Sequence, residues 1–340
     1  MTRICICGGG SLAHVCAAVL SSRQDVEVNV LTRKPSLWSR HPKATDPDAR
    51  VYEGDLPVIS DSPEEALRGC AIVLLCLPGF AIESVLHSVK PHIGKAAVGS
   101  IVSSTGFFFA AHRVLGGQAP LFGFQRVPYI ARVAEYGHSA SLLGYKPQLS
   151  VAVENIDDTD TFRQLLERLF DTPTTLLTSH YEASLTNSNP ILHTGRLYSM
   201  WKDWDGAPYS RNCLFYKEWT DDASQTLIDM DREFMRLLHV LPVSKNAIPS
   251  LLEYYESHDA ETLTNKLSHI PAFQTITAPM RQVSAGWIPD FNTRYFTEDF
   301  PFGLKFIHSL CHEHGIPCPT IDKVYAWGIS QCQPHPDPLS

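Results

Sequence analysis

The chain has 340 residues, 44% of them hydrophobic and 19% charged, with a formal net charge of -8 and a pI near 6.0. That length exceeds what one apolar core usually supports, so two domains are expected, and the acidic balance gives no electrostatic reason to expect nucleic acid, whose binding surfaces carry basic patches. No apolar run is long enough to cross a bilayer or to act as a signal peptide, so a soluble, cytoplasmic protein working on small molecules is expected. Nine cysteines, too sparse for a secreted disulfide scaffold, read as reduced and mostly buried thiols.

From the start to about residue 180, short apolar runs at 3–7, 26–31, 71–77, 96–102 and 149–153 alternate with helical patterns at 11–21, 62–69 and 80–89. This rhythm predicts a mainly parallel sheet with crossover helices. After Thr178 long helical patterns take over, including 221–241 and 294–314, the latter stopped by Gly315 and Pro317. The expectation is an α/β chain: a Rossmann-type dinucleotide-binding domain over 1–180, followed by an all-α domain over 181–340. A proline-rich tail at 334–338 reads as frayed.

Gly8, Gly10 and Ala13 fit the G-x-G-x-x-G/A fingerprint between a strand and a helix. The first glycine makes a tight turn, the second admits a pyrophosphate, and the last small residue lets helix pack on strand. The amides of Ser11 and Leu12, opening the helix, would hold the phosphates. A glycine-rich turn with no ligand is the bland reading. Where an NAD enzyme usually carries an acid for the ribose hydroxyls, this chain has Thr32, Arg33 and Lys34. A 2′-phosphate suits that place better, so NADP is preferred and NAD remains open, against the alternative of a solvated loop. Leu77-Pro78-Gly79 and Ser103-Ser104-Thr105-Gly106 follow strands at their carboxyl ends, where open α/β sheets bind ligands; ordinary turn chemistry explains them equally well.

In the helical half, Asn187-Ser188-Asn189-Pro190-Ile191-Leu192-His193 places a histidine in a helix starting near Pro190, and Arg294-Tyr295-Phe296-Thr297-Glu298-Asp299 opens an apolar helix with a guanidinium and two carboxylates. Taken alone, the first is an interior or surface histidine among fifteen and the second a capped helix with a charged first turn. Cys311-His312-Glu313-His314 with Cys318 looks metal-binding, but successive helical positions point in different directions, so no metal is expected. The acidic stretch 154–160 reads as a loop and helix cap.

Together the two helical motifs resemble the octopine and nopaline dehydrogenases, the opine dehydrogenase family, whose helical domain carries Asn-Pro-x-x-His and Arg-Tyr-x-Thr-Glu-Asp elements. The likeness extends to the glycine-rich start and to 128–146 with its Arg-Val-x-x-Tyr-Gly pattern. It implies a reductive condensation of an amino acid with an α-keto acid through an imine reduced by NAD(P)H. On this resemblance His193 is the catalytic acid/base, Asp299 its carboxylate partner and Arg294 the clamp on a substrate carboxylate, chemistry that suits each residue type. Gln125, Arg132, Asn189 and Tyr198 are further candidates for the substrate pocket, along with Tyr136 and Trp201; for Tyr198 and Trp201 core packing is the favoured reading. A ketopantoate reductase or other 2-hydroxy acid dehydrogenase is the alternative enzyme, against which the two motifs argue. A nucleotide sensor without catalysis is the third reading. Small-molecule substrates, with no nucleic acid and no membrane, are the expected partners, and a homodimer stays open.

Overall fold

Both faces of the first strand are buried, with Ile4 and Ile6 in one apolar cluster and Cys5 and Cys7 in another. A strand apolar on both sides belongs inside a sheet covered by helices on each face. The computed structural model describes residues 1–332, so the tail at 334–338 lies outside the described residues. The chain divides into two compact units, Met1–Ser184 and a second beginning at Leu185.

The strands of the first unit are β1 (Thr2–Cys7), β2 (Val26–Leu31), β3 (Lys43–Thr45), β4 (Val51–Glu53), β5 (Ile59–Ser60), β6 (Ile72–Leu75), β7 (Ala97–Ser100), β8 (Leu121–Phe124), β9 (Tyr129–Glu135), β10 (Ser139–Tyr145), β11 (Leu149–Glu154) and β12 (Thr174–Leu176). Eight of them form one sheet in the order β12-β11-β8-β7-β6-β1-β2-β5, parallel throughout except where β11 meets β8. Helices α1 (Ser11–Ser21), α2 (Pro63–Ala66), α3 (Gly79–Val89), α4 (Phe107–Leu115), α5 (Thr159–Phe170) and α6 (His180–Ser184) accompany it. α1 and α5 pack on the Ile4 face, α3 and α4 on the Cys5 face. A second sheet, β4-β3-β10-β9, is an addition to the expected rhythm. Its strands are short or half-exposed, so they lack the continuous apolar runs that mark the main sheet. All nine cysteines are free, six of them buried.

The second unit holds α7 (Thr194–Trp201), α8 (Asp221–Leu238), α9 (Leu251–Tyr254), α10 (Ala260–Ser268), α11 (Lys305–Glu313) and α12 (Pro319–Gln331). Two π-helices, Ser188–His193 and Tyr295–Leu304, precede α7 and α11. The single helix expected over 294–314 is therefore a wide-turned segment that tightens into α11. The unit also carries a hairpin, β13 (Met280–Val283) with β14 (Gly286–Pro289), which the expectation of an all-α domain omitted. α8 is its central strut. Thr220 caps it by accepting from the Ala223 amide, and Asp221 and Asp222 favour its positive end.

Two buried carboxylates of α8 organise what surrounds it. Asp231 accepts from the Asn187 side chain at 2.8 Å and from the Leu251 amide at 2.7 Å, tying the approach to the first π-helix and the start of α9 to one strut. Glu233 accepts from the amides of Thr320 and Ile321 at 2.9 and 2.8 Å, satisfying the N-terminus of α12. Burial pushes the Asp231 carboxyl up to about 6 from its ordinary 3.8. The folded chain thus holds a proton that the unfolded chain releases first, so this group's contribution to stability is present below about pH 4 and is lost as pH rises to about 6. Denaturant melts of the native chain and Asp231→Asn should show their stability difference shifting against the native chain by on the order of 2–3 kcal/mol between pH 4 and pH 6.5. A difference flat with pH would refute this.

Candidate active site

In the first unit the connections leave β1 toward β2 and leave β6 toward β7, so the carboxyl ends of β1 and β6 mark the point where strand order reverses. Open α/β sheets bind ligands at that point. Gly8 to Gly10 follow β1, Leu77 and Pro78 follow β6, and Thr32, Arg33 and Lys34 follow β2. Gly8 has φ +143°, and a Cβ there would stand 2.5 Å from the Cys76 carbonyl oxygen, so only glycine turns the chain this close to β6. Gly10 precedes α1, and a Cβ on it would meet no atom within 4 Å. α1 has no side-chain cap and no acid in its first turn. Open backbone, uncapped amides at Ser11 and Leu12, and the buried Ala13 against the sheet fit a dinucleotide's pyrophosphate.

The turn has a cover that sequence reasoning missed. His14 in α1 stacks on Trp38 at 4.2 Å, its Nδ1 donates to the Gly10 carbonyl at 2.9 Å, and its Nε2 accepts from the Gly137 amide at 2.6 Å. Burial lowers the proton affinity of His14, which keeps the ring in the neutral form these two bonds require. The Ser11 hydroxyl accepts from the Val133 amide at 3.1 Å, and the Tyr136 hydroxyl sits 2.6 Å from where a Gly9 Cβ would be. The β9–β10 hairpin is thereby fastened to the fingerprint. Thr32 is buried, whereas Arg33 and Lys34 are exposed, the Lys34 ammonium standing 5.8 Å from the Tyr136 ring.

In the second unit the two helical motifs converge. His193 ends the first π-helix and Asp299 lies within the second, and His193 Nδ1 stands 2.8 Å from Asp299 Oδ2 with the side chains only 15% and 17% exposed. An ionised carboxylate only accepts, so Nδ1 carries the proton and Nε2 is left for chemistry. Nε2 lies 3.2 Å from the hydroxyl of Tyr216, a residue no motif in the sequence marked. Burial, then Tyr295, Tyr255 and Asp299, hold that phenol well above its ordinary proton affinity, so it stays protonated near neutrality. Arg196, itself buried, donates to the carbonyls of Phe215 and Glu218 at 3.1 and 2.6 Å and so fixes the loop carrying Tyr216. Tyr295 and Phe215 set their rings edge-on or tilted against the imidazole and each other.

The π geometry matters for Arg294. It precedes the second π-helix, and Asp299 follows five residues later. In an α-helix residues so spaced point about 140° apart, whereas an i→i+5 turn brings them to one side. The Arg294 guanidinium is exposed. Asn189 is exposed as well. Tyr198 packs edge-on to Trp327 at 5.5 Å with Lys202 over its ring, and Trp201 is buried beside Phe296, so both serve packing. Gln125 and Arg132 belong to the first unit. Gln125 donates to the Glu182 carbonyl at 2.9 Å, and the exposed Arg132 donates to the Ala131 carbonyl at 3.0 Å. Among the described residues no helix is long and apolar enough to cross a membrane.

Residues 176–331 match the family described as NAD/NADP octopine/nopaline dehydrogenase, alpha-helical domain. Octopine dehydrogenase of Mizuhopecten yessoensis is 28% identical, the alignment covering 96% of this chain and 88% of the relative. Tauropine dehydrogenase of Arabella iricolor is also 28% identical, over 96% of this chain and 90% of its own. A solved structure of octopine dehydrogenase with NADH and L-arginine superposes with a TM-score of 0.86 at 25% identity, covering 97% of this chain and 89% of that one. Residues 176–331 thus match the helical domain of the octopine/nopaline dehydrogenases, and over nearly its whole length the chain is similar to opine dehydrogenases, which are NAD(P)-dependent oxidoreductases.

Proposed function

We propose that this chain, as an opine dehydrogenase, condenses an amino acid with an α-keto acid and reduces the resulting imine at the expense of NADPH, with His193 as its acid/base. The observation that carries the reading is the imidazole held at Nδ1 by Asp299, with Nε2 directed to a phenol that stays protonated. The amino group must lose a proton before it attacks the keto carbon, and Nε2 is the basic atom for that proton. The same atom returns a proton as the carbinolamine oxygen leaves as water. Asp299 stabilises the charged imidazole meanwhile, and Tyr216 offers a hydroxyl that donates to neutral Nε2 or accepts from protonated Nε2. Both substrates carry carboxylates, and the exposed Arg294, immediately before the π-helix that carries Asp299, offers a fork for one of them. The bound cofactor supplies hydride to the imine carbon.

The cofactor preference rests on Arg33 and Lys34, exposed at the end of β2 where an acid for NAD would stand. The octopine dehydrogenase structure contains NADH, so the preference belongs to these residues of this chain and not to the family. Nine cysteines without a disulfide suit a reducing compartment such as the cytoplasm.

His193→Ala should lower turnover by about two orders of magnitude or more while leaving NADPH affinity near the native value; unchanged turnover in steady-state assays would remove His193 from the mechanism. Arg294→Ala should raise KM for one carboxylate substrate by roughly 10- to 100-fold, the worth of a lost charged hydrogen bond, with kcat less affected. Fluorescence titration should find NADPH bound more tightly than NADH, and Lys34→Glu should narrow or reverse the difference. Equal or tighter NADH binding by the native chain would overturn the cofactor reading.

A further inference from the structure

Away from His193, α11 and α12 bring together a second group of ligating side chains. His308 and His312, one turn apart on α11, both aim Nε2 at the same oxygen of Asp322 on α12, at 3.2 and 2.8 Å. The Cys318 thiol, immediately before α12, stands 3.3 Å from that same Oδ1 and 3.9 Å from His312 Nε2. The two imidazole nitrogens and the carboxylate oxygen all lie within 4.8 Å of one another. Three donors thus crowd one carboxylate oxygen, which has lone pairs for about two. One cation among the two imidazole nitrogens and the carboxylate oxygen would relieve the crowd, and the Cys318 thiol, at the edge of that group, would move in as a fourth ligand. Donor atoms around a tetrahedral zinc, bound at about 2.0–2.3 Å, stand roughly 3.3–3.7 Å apart, within reach of these separations. A second cluster among the described residues, His112, Glu154 and His180, differs. There each Glu154 oxygen takes a single imidazole, at 2.7 and 2.8 Å, so hydrogen bonds satisfy it without an ion.

We propose that His308, His312 and Asp322, with Cys318 as the fourth ligand, form a zinc site that ties α11 to α12. Successive helical positions diverge, which in the sequence speaks against a metal at Cys311-His312-Glu313-His314 with Cys318; the proposed site departs from that expectation by taking only His312 and Cys318 from that stretch. The partners of His312 come from one turn earlier on α11 and from the far side of the turn at Gly315, whose φ of +65° reverses the chain. The frame is set without the metal. Glu233 holds the amides of Thr320 and Ile321, and Arg236 donates to the Pro317 carbonyl at 2.9 Å, so Cys318 and Asp322 start from fixed backbone. Binding releases the thiol proton to solvent. His312 is 58% exposed, which gives the ion a path in and lets the residue be replaced without disturbing the core.

The test uses the full, untagged chain stripped with a chelator. Calorimetric titration with zinc sulfate against a competing chelator should give one tight site, and zinc should raise the thermal midpoint. His308→Ala and His312→Ala should each weaken that site by more than the ~10–100-fold typical of losing a mere supporting partner, and abolish the thermal shift, while keeping the native far-UV spectrum. His112→Ala should change neither. Cobalt in place of zinc should give visible tetrahedral absorption and a near-ultraviolet thiolate band that vanishes in Cys318→Ser. Absence of a tight zinc site, or one of equal affinity in both α11 variants, would overturn the proposal. A cobalt spectrum without the thiolate band would remove Cys318 from the ligand set.

Discussion

The contact around which the helical unit's candidate site is built is the one between His193 Nδ1 and Asp299 Oδ2. It fixes the imidazole tautomer, directs Nε2 away from the carboxylate and sets that carboxylate beside the ring. Both residues sit on π-helices, a rare geometry that recurs at functional sites. Small residues let those segments meet. A Cβ on Gly303 would come within 3.0 Å of the Pro190 ring, and one on Gly328 of α12 would collide with the Phe300 ring of the second π-helix. Pro301 lies inside the second π-helix, where a proline would break a regular α-turn.

The first unit solves a different problem. A fingerprint turn must leave backbone bare for phosphate yet hold its shape, and here the shape comes from outside the turn. His14, Trp38 and Tyr136 form a ring cluster beside it, and Val133 and Gly137 of the hairpin donate to Ser11 and His14. Ser11 thus spends its side chain on the hairpin while its amide remains available at the helix end. The Arg-Val-x-x-Tyr-Gly segment, which in the sequence is only a pattern shared with a family, has a physical task in this unit.

Buried carboxylates do similar work in the helical unit. Asp231 and Glu233, both on α8, bind backbone amides of α9 and α12, and Asp231 also holds Asn187 just before the first π-helix. Neither was singled out in the sequence, because an acid within an amphipathic helix looks the same whether it faces solvent or an amide. Tyr216 was hidden for a related reason. It lies in a loop without periodicity, and its position near His193 is set by Arg196, whose guanidinium binds loop carbonyls that no spacing rule can anticipate.

Local residue patterns dictate the parallel sheet, since strands buried on both faces need continuous apolar runs, and they dictate the fingerprint turn, since only glycine tolerates the approach of Gly8 to Cys76. The sequence also marked His193, Arg294 and Asp299, though through likeness to a family more than through chemistry legible in the residues. Which side chains meet follows from packing in three dimensions. A helical pattern at 294–314 reads the same for α and π turns, because the sequence records apolar spacing and not the hydrogen-bond register that places Asp299 against His193. The same limit explains the crowd at Asp322. Convergence across the turn at Gly315 depends on how two helices pack, and packing is settled by the whole core rather than by any local run of residues.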